Sequence, residues 1–410
     1  MESYFSKQFF ANNRAKLKKL FIGTAPIIIT ANGLIQSGAD STYPFKQDAS
    51  FWYLTGLDLP DLILVMDKGQ EYLIIPSRNI NRQNFDGQID IDQIRARSGI
   101  DELYNEDEGW NKLNSRLKKV KHIATLATPK TYIEDHGFYT NPARASLNLK
   151  IKEINEDIKF LDLSHHLALM RMIKQPEELN AINRAIDITS QSIKQSTGKN
   201  KLLKYQYEYQ LEASLTKIMI DKGSGGHAFE PIVAGGINAC TLHNISNKSR
   251  FNQNDLVVID TGCEVEHYAA DITRTLSLSG KPNKRQNNIY DAVLDVQNFG
   301  ISLLKPGLLL KDFEDKIENY MGEKLRELGL IKTISHENVR QFYPHATSHF
   351  LGLNAHDIGD YNRPLEPGVV LTVEPGIYVK KESIGIRIED DVLITGTGNT
   401  VLSKKLAKKL

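Results

Sequence analysis

Five residues spread over the second half of the chain carry side chains suited to hold cations: Asp260, Asp271, His349, Glu374 and Glu389. Leu256 to Asp260 reads as a strand ending on a carboxylate, and Asp271 to Leu276 as a strand beginning on one. The link Thr261-Gly262-Cys263-Glu264-Val265-Glu266-His267 has the length and the turn glycine to reverse the chain. Antiparallel pairing would then bring Asp260 and Asp271 together at one end. Two facing carboxylates repel, and one protonates unless a cation is shared between them. On its own this pair has a second reading, in which Asp260 caps the turn at Thr261-Gly262. Further along, His345, His349 and His356 crowd three imidazoles into one short segment beside Gly352. Glu374 ends the apolar run Val369-Val370-Leu371-Thr372-Val373, and Arg387 and Glu389 lie two apart on one strand face. Glu389 is flanked by Ile386, Ile388, Val392, Leu393 and Ile394, and a buried Glu must be paired or bound to a metal. Four carboxylates and one imidazole make a hard, oxygen-rich ligand set that needs neither cysteine and suits Mn²⁺, Mg²⁺ or Co²⁺. Four anions are too many for one ion and match two divalent cations about 3.5–4 Å apart, which would lower the pKa of a shared water. No Ser-His-Asp arrangement or Gly-rich phosphate loop competes with this chemistry.

The elements that must position these residues read as α/β (α+β). Arg14 to Phe21 has a helical pattern, and Pro26 to Thr30 is a β-branched run suited to a buried strand. Asp61 to Met66 and Glu71 to Pro76 flank Asp67-Lys68-Gly69-Gln70, a hairpin signal. Lys121 to Leu126 reads as one more strand. A helix opening at Leu163-Ser164 must stop near Gln175-Pro176. Pro176-Glu177-Glu178 reopens one, with Pro in the first turn and acids at the positive end of the helix dipole. This change of character sets a domain boundary near residue 170, giving domains 1–170 and 171–410.

With 410 residues, two domains are the natural expectation. Hydrophobic residues at 40%, charged residues at 25% and a net charge of +1 are ordinary for a globular chain and give no reason to expect nucleic acid or a membrane surface as partner. No apolar stretch is long enough to span a bilayer, and the N-terminus lacks a signal-peptide pattern. Two cysteines, Cys240 and Cys263, exclude a disulfide scaffold and point to reduced thiols in a cytoplasm. The basic ending Lys404-Lys405-Leu406-Ala407-Lys408-Lys409 reads as a solvated tail.

At the metal-site residues the sequence resembles the aminopeptidase P group of the pita-bread metallopeptidases, alongside prolidase and methionine aminopeptidase. The matching segments are Ile259-Asp260-Thr261-Gly262-Cys263, Asp271-Ile272-Thr273-Arg274-Thr275, Ser348-His349-Phe350-Leu351-Gly352, Val373-Glu374-Pro375-Gly376-Ile377-Tyr378 and Gly385-Ile386-Arg387-Ile388-Glu389-Asp390. Ala39 to Gly56 is similar to the group's N-domain signature. The resemblance implies a creatinase-like α/β N-terminal domain followed by a pita-bread catalytic domain. It implies two divalent ions, Mn²⁺ first, with Co²⁺, Mg²⁺ or Zn²⁺ as alternatives. Asp260 would then chelate one ion, His349 and Glu374 the other, and Asp271 and Glu389 would bridge them, with Glu374 also acting as general base. His243, His345 and His356 would bind substrate and steady the tetrahedral intermediate, and Tyr378 and Arg387 would flank the proline pocket and the metal site. The implied reaction removes the N-terminal residue from Xaa-Pro-Xaa peptides, whose proline nitrogen lacks the N–H that other proteases use. Prolidase, which accepts only dipeptides, is the nearest alternative, and a non-catalytic pita-bread binding module is a further one. The resemblance also implies a homo-oligomer, dimer or tetramer. Two departures from the group stand out. Where the group often has a Trp reaching a neighbouring subunit's site, this chain has Asn84-Phe85-Asp86-Gly87. By the resemblance Phe85 would supply the aromatic ring at that substrate edge without the indole, so the pocket edge would differ. The link from Tyr378 to Ile384 is also short.

Overall fold

In the computed structural model, Lys68 (φ 48°) and Gly69 (φ 81°) make the two-residue turn anticipated between two apolar runs. Both residues have positive φ, which matches the twist of the strands they join. Those strands, β2 (Ile63–Asp67) and β3 (Gln70–Ile75), pair antiparallel, with Asp67 opposite Gln70. The structure describes residues 3–198 and 201–410. They divide into two units, Met1–Met170 and Arg171–Leu410.

The first unit is built on one six-stranded mixed sheet. With β1 (Ile27–Thr30), β4 (Glu102–Asn105), β5 (His122–Thr125) and β6 (Lys159–Asp162), the strand order is β4-β3-β2-β1-β5-β6. Ile28, Val65, Ile74 and Ile123 from the sheet meet Leu113, Leu117, Leu147 and Ile151 from the helices Glu106–Leu117 and Pro142–Ile154 in a buried cluster. The first helix spans Lys7–Leu20 and so starts seven residues before the expected Arg14. Its buried stripe includes Phe9 and Phe10 as well as Asn13, Arg14 and Leu17, so the aromatic pair belongs to the helix and not to an extended lead-in. Asp48 caps the helix Ala49–Thr55 by accepting from the Phe51 N–H, and Gly56 (φ 69°) ends it. A Cβ at Gly56 would stand 2.4 Å from the Phe10 ring, so only glycine serves there.

The second unit has helices Pro176–Thr197, Glu208–Asp221, Lys284–Leu303 and Leu310–Glu327 around several short sheets. Pro176 sits in the first turn as expected, and the Glu178 side chain accepts from the Gln175 N–H at 2.9 Å. The strands are β7 (Gly226–His227), β8 (Ile232–Gly235), β9 (Leu256–Thr261), β10 (Cys263–Val265), β11 (Tyr268–Ala269), β12 (Ile272–Ser277), β13 (Val370–Val373), β14 (Gly376–Val379), β15 (Ile384–Arg387), β16 (Asp390–Ile394) and β17 (Asn399–Val401). They pair as β12-β9-β8, β11-β10-β7, β13-β16-β17 and β14-β15.

Three sequence expectations are corrected in this unit. The link after Asp260 is not a plain turn. β10 and β11 extend the β9/β12 hairpin, and the reversal falls on Glu266 (φ 44°) and His267 (φ 69°). At Gly262 a Cβ would lie 1.7 Å from the Ala270 carbonyl oxygen, so the strand can step from one sheet to the next only where no side chain exists. Secondly, the segment Ile384 to Asp390 is not one strand. β15 ends at Arg387 and β16 begins at Asp390, so Glu389 occupies the joint between two sheets. Thirdly, the basic ending is only partly solvated. Lys404, Lys405 and Lys409 are exposed, but Ser403 and Leu406 are buried, and Lys408 turns inward to Asp390 at 2.8 Å. Among the described residues, no helix is long and apolar enough to cross a membrane.

Candidate metal centre

Strand register explains how residues so far apart in sequence meet. In the β9/β12 pair Ile272 faces Thr261 and Thr273 faces Asp260, which leaves Asp260 and Asp271 at the same end. In the β13/β16 pair Val373 faces Asp390, which leaves Glu374 and Glu389 together in the same way. A bridge between Phe350 and Leu371 sets His349 beside Thr372, whose hydroxyl accepts from the His349 N–H at 3.2 Å. The Glu389 N–H donates to the Thr273 carbonyl at 3.1 Å and so ties the two pairs to each other. One cavity of about 450 Å³ results. Its lining includes Asp260, Asp271, His349, Glu374 and Glu389, together with His243, His345, His356 and Arg387. Phe229, Leu242 and Ile245 give it an apolar flank, and Glu230 adds a further acid.

Asp271, His349 and Glu389 hold one ligand atom each within 4.8 Å of one another. His349 Nε2 lies 3.7 Å from Asp271 Oδ2 and 3.3 Å from Glu374 Oε1. Its Nδ1 is 3.1 Å from the Phe350 carbonyl, which can only accept, so Nδ1 carries the proton. Burial, with the neighbouring His356 next, lowers the His349 pKa to about 4. The ring is therefore neutral at pH 7, and its Nε2 lone pair faces two carboxylates with which it makes no ion pair. Burial first, and then the charges of the other acids, push Asp271 and Glu374 well above the carboxylate range, and burial with Asp260 pushes Glu389 up to about 8. Asp260 Oδ1 is buried with no hydrogen-bond partner among the described residues. Acceptors facing acceptors around an orphaned carboxylate oxygen are what a divalent cation completes. The hard donor set fits such a group.

Behind the acids runs a polar chain. Arg387 donates to Asp260 Oδ2 at 2.6 Å and to Tyr378 Oη at 2.8 Å, while Tyr378 Oη lies 2.8 Å from His345 Nε2. His345 Nδ1 is 2.8 Å from the Ala346 carbonyl, so its proton sits there and Nε2 accepts from the Tyr378 hydroxyl. Burial, reinforced by Arg387, holds the His345 pKa down to about 3. The His349 and His356 rings stack at 3.9 Å between centroids.

The structure thus brings every expected ligand and all three additional histidines to one cavity. Tyr378 is not part of the lining; it is buried behind His345 and Arg387. Phe85 belongs to the first unit, in the helix Ile80–Asp86, and is 88% exposed. Sequence reasoning missed three contributors. The Thr273 hydroxyl donates to Glu389 Oε2 at 2.6 Å and receives Arg387 Nε at 3.3 Å. Asp391 accepts the Asp271 N–H at 3.2 Å. Glu314 accepts both the N–H and the hydroxyl of Thr347, at 2.8–3.0 Å, and so anchors the histidine segment. For Thr273 a signal existed: the alternation Thr273-Arg274-Thr275 puts both hydroxyls on the face that looks toward Arg387 and Glu389.

This fold and acid-histidine cavity are those of a metallopeptidase, and the chain belongs to metallopeptidase family M24, whose sequence model matches residues 180–396. The model of the aminopeptidase P N-terminal domain matches residues 10–124. A Xaa-Pro aminopeptidase of Haemophilus influenzae is 33% identical over 396 residues, covering 90% of this chain and 88% of that protein. One of Escherichia coli is 32% identical over 432 residues, covering 99% and 97%. Among solved structures, aminopeptidase P from E. coli with the inhibitor Pro-Leu superposes with a TM-score of 0.85 at 30% identity, covering 99% of this chain and 96% of that one. Proline aminopeptidase P II from Yersinia pestis gives 0.84 at 30% identity, covering 99% and 98%.

Proposed function

We propose that the protein is a Xaa-Pro aminopeptidase, releasing the N-terminal residue from peptides with proline in second position. The carrying observation is the convergence of Asp260, Asp271, His349, Glu374 and Glu389 with His243, His345 and His356 on one cavity. The relatives named Xaa-Pro aminopeptidase along nearly the whole chain support the substrate class. We assign two divalent ions, Mn²⁺ first, which Asp260, Asp271, His349, Glu374 and Glu389 would hold between them. When bound, such ions polarise the scissile carbonyl and lower the pKa of water.

The chain's own residues do the rest. Glu374, at the cavity wall and beside His349, takes the proton of the attacking water and returns it to the leaving proline nitrogen. His243 and His356 line the cavity and offer ring N–H groups to the carbonyl oxygen as it gains charge. His345 has both nitrogens engaged, so its part is to hold Tyr378 and, through it, Arg387 on Asp260. Phe229, Leu242 and Ile245 exclude water from the substrate's apolar parts. The reading extends to a cytoplasmic homo-oligomer, dimer or tetramer, in which the exposed ring of Phe85 meets a neighbouring copy. The free thiols Cys240 and Cys263 suit that compartment.

The test is hydrolysis of an Xaa-Pro-Xaa tripeptide and an Xaa-Pro dipeptide by metal-free protein titrated with Mn²⁺. Tripeptide cleavage that rises with metal is expected, and Glu374→Gln lowers it about 100- to 10,000-fold. Cleavage of the dipeptide alone would make the enzyme a prolidase, and metal binding without any cleavage would make it a binding module.

A further inference from the structure

Arg274 lies on β12 between Thr273 and Thr275, on the side of the strand facing away from the cavity, and it is almost completely buried. A guanidinium has five N–H donors in a fixed fork and no means of shedding its charge. All five are accounted for. Nη1 donates to the Thr273 carbonyl at 2.9 Å and to the Glu389 carbonyl at 2.6 Å. Nη2 donates to Asp390 Oδ1 at 2.7 Å and to the Leu406 carbonyl at 2.9 Å. Nε donates to the Ala407 carbonyl at 3.2 Å. Two of the five acceptors therefore belong to the basic C-terminal segment.

The same segment completes Asp390. Ser403 Oγ donates to Oδ1 at 2.5 Å, and Lys408 Nζ sits 2.8 Å from Oδ2, where Gln297 also donates at 3.2 Å. Asp390 follows Glu389 directly, and Arg274 follows the Thr273 whose hydroxyl holds the Glu389 carboxylate. Glu389 has no strand of its own, since it sits at the joint between β15 and β16. Its backbone is fixed by Arg274 on one side and its side chain by Thr273 on the other.

We infer that the segment 402–410 is a positioning element for Glu389: it saturates Arg274 and Asp390 and thereby sets the geometry of the proposed metal ligand between them. The inference rests on the two-ion reading given above. It identifies Arg274, Asp390 and Lys408 as positioning residues that act through Glu389 and touch no substrate. It also gives a role to Lys408, which sits in a stretch whose composition suggests only a solvated tail.

The experiment uses the full chain stripped of metal and titrated with Mn²⁺ by calorimetry, alongside melting followed by circular dichroism. Lys408→Met removes one cation and leaves every tail carbonyl in place, so the fold is retained. Its Mn²⁺ dissociation constant should rise about tenfold or more, as loss of an outer-shell partner does, and Lys408→Arg should restore it to within about twofold. A chain ending after Lys405 should lose more affinity than Lys408→Met. A Lys408→Met protein that melts lower yet binds Mn²⁺ like the parent would show the segment to be a brace for the fold alone, and would overturn the inference. Unchanged melting with unchanged affinity would overturn it equally. A parent that takes up no Mn²⁺ would strike down the metal reading itself and this inference with it, so the parent titration separates the two failures.

Discussion

Thr273 is the residue whose importance is least visible from its type. Its hydroxyl bridges Glu389 and Arg387, and a bond to a carboxylate of this kind is worth about 1.5–3 kcal/mol. Thr273→Val keeps the shape and β propensity of the side chain, so the fold should hold while kcat/KM on an Xaa-Pro-Xaa peptide falls about 10- to 100-fold. Steady-state kinetics beside a far-UV spectrum would check it; parental kinetics would show that Glu389 is held well enough without the hydroxyl. The meeting of the acids and His349 in one cavity was legible from apolar runs that end on carboxylates and from the crowded histidines. Thr273, Asp391 and Glu314 were not, because hydroxyls and acids are common and their meaning lies in what they touch across 33 to 120 residues of sequence. Tyr378 was placed on the substrate side by resemblance. Its position behind His345 depends on the β14/β15 register, which no single residue announces.

At the scale of elements, antiparallel hairpins delivering paired acids were readable from apolar runs ending on carboxylates. The β9/β12 register places Asp260 and Asp271 as that pattern anticipated. What escaped was the interruption at Gly262, since a glycine in a link reads as a turn residue whether the chain turns there or steps sideways. The actual reversal at Glu266 and His267 uses two non-glycine residues at positive φ, which is uncommon outside glycine. Gly262→Ala would drive a methyl into the Ala270 carbonyl at 1.7 Å, and the backbone has no rotamer by which to escape. A loss of stability of about 3 kcal/mol or more should follow, read as a large fall in Tm or as insoluble protein. An alanine variant melting near the parent would mean that the step between sheets is soft.

For the whole molecule, the chain divides into the units Met1–Met170 and Arg171–Leu410, while interior polar networks were invisible beforehand. One lies under the helix Pro176–Thr197, where Glu178 accepts from Tyr268 Oη at 2.9 Å and Lys174 and Arg171 contact Asp357. Burial raises the Glu178 pKa to about 7, despite the opposing pull of Lys174. A carboxyl whose folded pKa lies above its unfolded value of 4.5 adds stability below pH 4.5, and that stability is lost as pH rises through 7. Replacing it by Glu178→Gln keeps an acceptor for Tyr268 and removes the titration. Relative to the parent, the variant should therefore gain on the order of 3 kcal/mol between pH 4.5 and pH 8 in denaturant titrations. A constant difference between the two across that range would show that Glu178 stays ionised in the fold.

The docking of Leu406 and Ala407 on Arg274 has a consequence during synthesis. A chain grows from its N-terminus, and these two carbonyls are made 132 and 133 residues after the guanidinium they complete. A nascent chain can pair β9 with β12 and fold its first unit while Arg274 still lacks two acceptors and Asp390 does not yet exist. Arg274 and Asp390 therefore reach their full set of partners only after residue 408 has been made. A chain cut short before residue 406 keeps the residues of β9, of β12 and of the first unit, yet leaves Arg274 without two of its acceptors.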